Sequence, residues 1–392
     1  MITKRHALKL AVALLTSAAA SAYAADTGPI KIGLILPMTG QSASTGRQID
    51  AAVKLWMAQN GNKVAGRTVE VILKDDGAVP DATKRIAQEM IVNDKVTVIA
   101  GFGITPTALA TAPLATQSKT PLVVMAAATS SITQASPYIV RTSFTLPQVT
   151  VAIADWAAKN KIKKAVTLVA DYGPGFDAEK FFDSQFRLDG GQVLDKLRTP
   201  LRAPDFAPVL QKVIDVKPDA LFVFLPSGQG AAFMKQFAER GLDKSGIRLI
   251  ATGDVTDDDQ LADMGDVAIG VVNSHHYSAA HPSATNKKFV AAFEAANKFR
   301  PNFMAVGGYD GMRVIYKALE ATKGAGGEAL LNAMKGQVFE SPRGPVLIDA
   351  QTRDIVQDVY IRKVERVPAM NNGLYNVEFD VIKAVKDPGK QK

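Results

Sequence analysis

The sequence predicts an α/β fold of two lobes, each a mostly parallel sheet flanked by helices. Three observations point there. Short apolar runs rich in β-branched residues alternate with helical patterns, the βαβ repeat of an open parallel sheet. Those runs are apolar at consecutive positions, as strands covered by helices on both faces require. The series occurs twice in succession, with no Gly/Ser-rich linker between the halves. A length of 392 residues fits two to three domains at ~150 residues each.

The chain opens on a basic start (Lys4, Arg5, His6, Lys9), followed by the apolar stretch Leu10–Ala20 and then Ala22-Tyr23-Ala24. This is the pattern of a secretory signal cleaved after Ala24, and it is too short for a membrane-spanning helix. Residues 1–24 are therefore expected to be removed on export. Strands follow at Ile30–Leu36, Val69–Leu73, Val96–Ala100 and Leu122–Met125. Helices at Gly46–Gln59, Asp81–Val92 and Pro106–Gln117 separate them, the first with Ile49, Ala52, Val53 and Trp56 on one face.

The second series starts after Ser143. Its strands are Ala165–Val169, Val193–Leu197, Leu221–Leu225, Arg248–Ala251 and Ala268–Val272. Its helices are Leu146–Lys159, Phe176–Leu188, Phe206–Val216 and Gly230–Arg240. Two helical stretches, Ala284–Lys298 and Phe303–Lys323, lead to alternating runs at Val346–Ile348, Val359–Val364 and Tyr375–Val381 that read as antiparallel strands.

Composition removes several function classes. There are no cysteines, which excludes disulfide frameworks, thiolate metal sites and cysteine nucleophiles. Net charge is +8, falling to +5 without Lys4, Arg5 and Lys9, and its scatter gives no nucleic-acid surface. Gly101-x-Gly103 lacks the third glycine of a dinucleotide fingerprint, because Pro106 stands there. No phosphate loop and no G-x-S-x-G elbow occurs. His275, His276 and His281 read as polar residues at a lobe crossing or cleft rim, since they lack metal-site spacing. Asp257, Asp258 and Asp259 read as acidic residues opening a helix. No cofactor, no metal and no catalytic residue is expected.

Ligands of open α/β sheets bind outside the carboxyl ends of strands. Those ends carry Pro37–Gly40 with Thr45, Gly101–Thr105, Ala126–Ser130, Asp171–Gly173, Pro226–Gln229 and Gly253-Asp254. Thr105 reads as an N-cap before Pro106, a terminus suited to a carboxylate or phosphate.

With Leu34–Gly40, Asp75-Asp76, Gly101–Thr105, Ala126–Thr129 and Asp171–Gly173 in this order, the chain resembles the periplasmic branched-chain amino-acid-binding family. These are type I substrate-binding proteins of ABC importers. The resemblance implies the two-lobed type I fold, with lobes of 25–142 plus 275–354 and of 143–274 plus 355–384, and a tail at 385–392. It implies a ligand cleft with Thr105, Ala127 and Thr129 on the carboxylate side and Tyr172 and Asp254 on the amine side. Thr45 replaces a large aromatic and Ser227 lies in a loop that replaces a tyrosine-bearing one, so both count as ligand-binding positions.

The resemblance further implies a periplasmic, monomeric, non-enzymatic protein that closes on a small carboxylate-bearing solute and delivers it to an inner-membrane permease. Two ligand classes stay open: a hydrophobic amino acid, and an aromatic or other organic acid. A secreted sensory ligand-binding domain is the alternative role.

Overall fold

A computed structural model describes residues 28–390. The signal-peptide reading of residues 1–24 and the last two residues of the tail lie outside the described residues. The first sheet contains β1 (Ile30–Leu36), β2 (Lys63–Val64), β3 (Arg67–Asp75), β4 (Val98–Gly101), β5 (Leu122–Val124) and β6 (Ile139–Arg141). Their order is β2-β3-β1-β4-β5-β6. Pairing is parallel except for the short β2–β3 ribbon. Ile30, Ile32, Leu34, Ile35 and Leu36 are all buried, so both faces of β1 are covered.

The second sheet contains β7 (Lys164–Ala170), β8 (Gln192–Thr199), β9 (Ala220–Phe224), β10 (Arg248–Thr252), β11 (Val272–His275), β12 (Val338–Ser341), β13 (Gly344–Ile348), β14 (Ile355–Val367) and β15 (Gly373–Val385). The order is β12-β13-β14-β11-β10-β9-β7-β8, with β15 paired to β14. Strands β7 to β11 run parallel, and β12 to β15 are antiparallel additions. The helices Ala284–Asn297 and Phe303–Ala321 pack on the helix Ala43–Asn60 of the first sheet. The β12–β13 hairpin hydrogen-bonds to β14, while its Phe339 and Val346 share a core with Val314 and Ile315 of the helix Phe303–Ala321. Among the described residues, no helix is long and apolar enough to cross a membrane.

One strand lies elsewhere than the sequence predicts. Residues 268–272 are expected as a strand, but Gly265–Ala268 is a 3-10 turn and Gly270 takes φ 87°. Pairing with β10 and β14 starts only at Val272, so β11 extends through His275. His275 is therefore a strand residue rather than part of a loop.

Three arginines are among the largest fully buried side chains, and each sits where the chain passes between the sheets. Arg141 pairs with Asp354 at 3.0 Å and donates to Thr129 O at 2.8 Å. Arg343 pairs with Asp310 at 2.9 Å and donates to Ser143 O at 2.8 Å and Thr142 O at 3.0 Å. Arg362 donates to Asn273 Oδ1 at 2.7 Å and to Tyr277 O. A guanidinium suits such places because its fork spreads charge over several fixed acceptors.

The C-terminal segment is not a loose tail. Lys390 is buried against Asp354 and Thr133, and Asp387 accepts from Ser130 Oγ at 2.6 Å. The last described residues thus strap the 3-10 turn Ser130–Gln134 to the start of β14. Lys390→Met should lower stability by about 1–3 kcal/mol, the cost of leaving one buried charge contact unmade. Chemical denaturation checks this, and an unchanged midpoint would show the strap to be passive.

Candidate functional site

Strand order locates the site. In the first sheet the chain leaves β1 to one side toward β3, and β4 lies on the other side of β1. In the second sheet the same reversal falls between β7 and its neighbours β8 and β9. Such switch points leave a crevice at the carboxyl ends of the strands. The two crevices face each other and enclose one cavity of about 30 Å³. Thr45, Ile104, Thr105, Ala127, Phe144 and Met304 border it from the first side. Tyr172, Phe224, Ser227 and Asp254 border it from the second.

Five helices begin at this cavity. Thr45, Thr105, Leu146, Pro174 and Met304 all line it, and they lie in the first turns of the helices starting at Ala43, Thr105, Leu146, Gly173 and Phe303. No lysine or arginine is among the lining residues. The positive ends of the helices are therefore the source of attraction for an anion.

Six of the seven predicted site residues border the cavity: Thr45, Thr105, Ala127, Tyr172, Ser227 and Asp254. Thr129 does not. It stands behind, sharing a 2.8 Å hydrogen bond between its hydroxyl and that of Thr105. Thr105 is consequently not a side-chain cap, since Ile104 is the N-cap and Thr105 Oγ1 is turned to Thr129. Ala127 N–H donates to Phe102 O at 3.0 Å, so it is not free for a ligand carboxylate. Gly173 lies across the cleft from both threonines. A Cβ there would come within 2.8 Å of Thr129 Oγ1, so glycine permits the close approach.

The apolar lining escapes the sequence reading. Phe144 follows β6, a three-residue strand too short to show a pattern. Phe224 ends β9 and stacks on Tyr172 with ring centroids 6.1 Å apart. Burial pushes the Tyr172 phenol upward, reinforced by Asp254, so it stays protonated.

The aspartate cluster also differs from expectation. The helix after it spans only Leu261–Met264, and the acids do not serve its dipole. Asp257 Oδ2 accepts from Ser227 Oγ at 2.6 Å and from Asn302 Nδ2 at 3.0 Å. Asp259 Oδ2 accepts from Ser44 Oγ at 2.8 Å and from Gln48 Nε2 at 3.2 Å. Burial, with Asp259 close by, raises the Asp257 carboxyl well above the usual carboxylate range. These bonds join the loop after β10 to two helices of the first side.

His275 and His276 are fully buried, with rings packed at a tilt against each other at 4.4 Å and against Phe144 at 4.6 and 4.9 Å. They lie buried beside the crossing and not on a rim, and among the described residues no acid–histidine group is arranged to hold a metal. His281 lies apart, 2.8 Å from Glu378. Desolvation lowers the His275 pKa from 6.5 to about 4 against the pull of Asp254, with Arg362 and Arg343 adding to the lowering. His276 is lowered well below its ordinary value by burial and by His275.

A histidine held neutral in the fold binds its proton first in the unfolded chain. Stability should therefore fall as pH drops from 6.5 toward 4, by about 1.4 kcal/mol per pH unit for His275 alone. His275→Phe should show a shallower fall over that window in melting temperature against pH. Parallel curves would mean that the ring is already protonated in the fold.

A family model described as periplasmic binding protein matches residues 29–372. The Leu/Ile/Val-binding protein homolog 6 of Brucella abortus (strain 2308) is 43% identical over 384 residues, spanning 97% of each chain. A solute-binding protein of an ABC transporter from Rhodopseudomonas palustris BisB5, solved in complex with 3,4-dihydroxybenzoic acid, is 63% identical. It superposes with a TM-score of 0.91 over 93% of this chain and 99% of its own. A second R. palustris solute-binding protein, in complex with 4-hydroxybenzoate, is 41% identical with a TM-score of 0.89 over 92% of this chain and 99% of its own. The facing switch points and the whole-length likeness agree, and this chain belongs to the periplasmic binding protein family, in its branched-chain amino-acid-binding-like branch.

Proposed function

We propose that this chain binds a hydroxylated aromatic carboxylate between its lobes and delivers it to the membrane permease of an ABC importer. The observation that carries the reading is the cavity's three-part chemistry. Helix N-termini and the Thr105 hydroxyl attract a carboxylate, apolar groups (the rings of Phe144 and Phe224 and the aliphatic Ile104) suit a ring, and Asp254 with Ser227 offers acceptors at the second wall. Asp254 lines the cavity; its Oδ2 is buried 3.5 Å from His275 Nε2, and its Oδ1 is the oxygen left to a ligand. A ring hydroxyl donating to that carboxylate is a charge-assisted bond, whereas a second carboxylate there would be repelled. The dihydroxybenzoic and hydroxybenzoate complexes of the related proteins support this assignment.

Ser227 sharpens it. Ser227 lines the cavity while its hydroxyl donates to Asp257, so its oxygen offers a second acceptor for a further ring hydroxyl. The space between the walls is smaller than an aromatic acid, so the solute enters by separation of the lobes and is enclosed on their return. The lobes would be 25–142 with 275–354 and 143–274 with 355–384, hinged where Arg141, Arg343 and Arg362 hold the passages. Members of this family act as carriers rather than catalysts, and an exported, periplasmic location follows from the same membership.

Calorimetric titration with 4-hydroxybenzoate, benzoate and leucine tests the reading. Wild-type protein should bind 4-hydroxybenzoate most tightly. Asp254→Asn should weaken the hydroxylated acid by about 1 kcal/mol, the difference between a charged and a neutral acceptor, and leave benzoate nearly unchanged. Thr105→Val should weaken every carboxylate by about 1–3 kcal/mol. Protein that binds leucine and ignores both benzoates would instead assign Asp254 to an ammonium, as the names of the Brucella relatives suggest.

A further inference from the structure

We propose that His275, buried behind the cleft, is a positioning residue that fixes the Asp254 carboxylate and so sets the preference for hydroxylated over unsubstituted aromatic acids. The inference rests on the aromatic-acid reading above. His275 does not line the cavity. Its ring is wedged between Phe144 and Phe303, with centroids at 4.6 and 4.2 Å, and against His276. Its Nε2 lies 3.5 Å from Asp254 Oδ2.

Neither ring nitrogen of His275 has a hydrogen-bond partner, and Asp254 Oδ2 has none either. Two buried orphan atoms that face each other across 3.5 Å become partners when the gap shortens by about half an ångström. The neutral ring carries one proton, and placed on Nε2 it donates to Oδ2. That bond leaves the other carboxylate oxygen for the cavity, at an orientation set by the packed rings rather than by solvent.

Arg362 approaches the same corner. Its Nη2 also lacks a partner and lies so close beneath Gly253 that a Cβ there would overlap it. Any side chain at 253 would push Arg362 and His275 away from Asp254. A ring hydroxyl can exploit a carboxylate held in this way, whereas unsubstituted benzoate gains nothing from it. The effect therefore appears in the ratio of two affinities, not in affinity as a whole.

The test measures dissociation constants of 4-hydroxybenzoate and benzoate for wild type, His275→Phe and His275→Gln. Phenylalanine keeps a ring in the stack and removes the donor, and glutamine restores a donor. We expect His275→Phe to cut the hydroxybenzoate preference about tenfold, with benzoate changed less than about threefold, and glutamine to recover most of the loss. In an Asp254→Asn background the same histidine change should alter the ratio less than about twofold. An unchanged ratio in His275→Phe overturns the proposal, as does an equal loss for both acids, which would mark a packing role. If His275→Phe fails to fold, a glutamine variant that loses the preference overturns it equally. Wild-type protein that binds neither acid removes the aromatic-acid reading and this inference with it.

Discussion

A parallel strand followed by a helix delivers the N-terminus of that helix to the carboxyl edge of the sheet, and the rest of the site follows from this constraint. Two such sheets face each other here, and five helix starts meet at one cavity. Each contributes roughly 0.3–1 kcal/mol toward an anion in water and up to ~2 kcal/mol where partly buried. A carboxylate can therefore be held without a lysine or arginine in the cleft. A bare cation in a closing cavity would have to lose its own hydration, whereas peptide dipoles are already fixed by their helices.

The molecule does bury cations, but at the passages between the sheets. Arg141, Arg343 and Arg362 each spread their charge over backbone carbonyls or an amide, and the first two add a carboxylate partner. Burial lowers the pKa of Arg343 and Arg362, opposed by Asp310 for the first and Asp258 for the second, and a guanidinium keeps its charge in such places. Chain passages fixed at a few charged points are suited to rotation of one half against the other. Bonds from Ser44, Gln48 and Asn302 to Asp257 and Asp259 then tie the halves together beside the cavity. Asp257 belongs to both systems, because the Ser227 it accepts from lines the cavity.

Much of this was legible in the sequence, for reasons that differ between elements. β1 and the helix Leu146–Lys159 are long and strongly patterned, so their placement follows from periodicity alone. The strand-end rule recovers Thr45, Thr105, Tyr172, Ser227 and Asp254 because it needs only where strands stop. It also brings in Thr129, which lies at a strand end but is screened by Thr105. The short β6 hides Phe144, and the turn at Gly270 shifts β11 toward the histidines. The roles of the aspartates and histidines were not legible, because burial is a property of the assembled loops. Asp257-Asp258-Asp259 reads as the acidic opening of a helix until the helices Ala43–Asn60 and Phe303–Ala321 are seen to bond to it.

The separation between fold-made and residue-made contacts explains how one family holds chemically different solutes. On the proposed reading the carboxylate end is met by helix termini, which persist as long as the topology does. The opposite wall is made by side chains on loops after β9 and β10, Ser227 and Asp254, with Thr45 across from them, and on the same reading these meet the far end of the solute. A few substitutions there convert an ammonium pocket into a hydroxyl pocket without disturbing a sheet. Asp254 alone does not distinguish the two, since a carboxylate accepts from either donor. Its surroundings do: the lining beside it is aromatic and aliphatic, and the buried groups behind it are an arginine and a neutral histidine. Positive charge already approaches Asp254 from the protein side, which weakens its pull on a ligand ammonium and leaves its capacity to accept a hydroxyl bond. On the proposed reading, a hydroxylated ring is the donor that suits this wall.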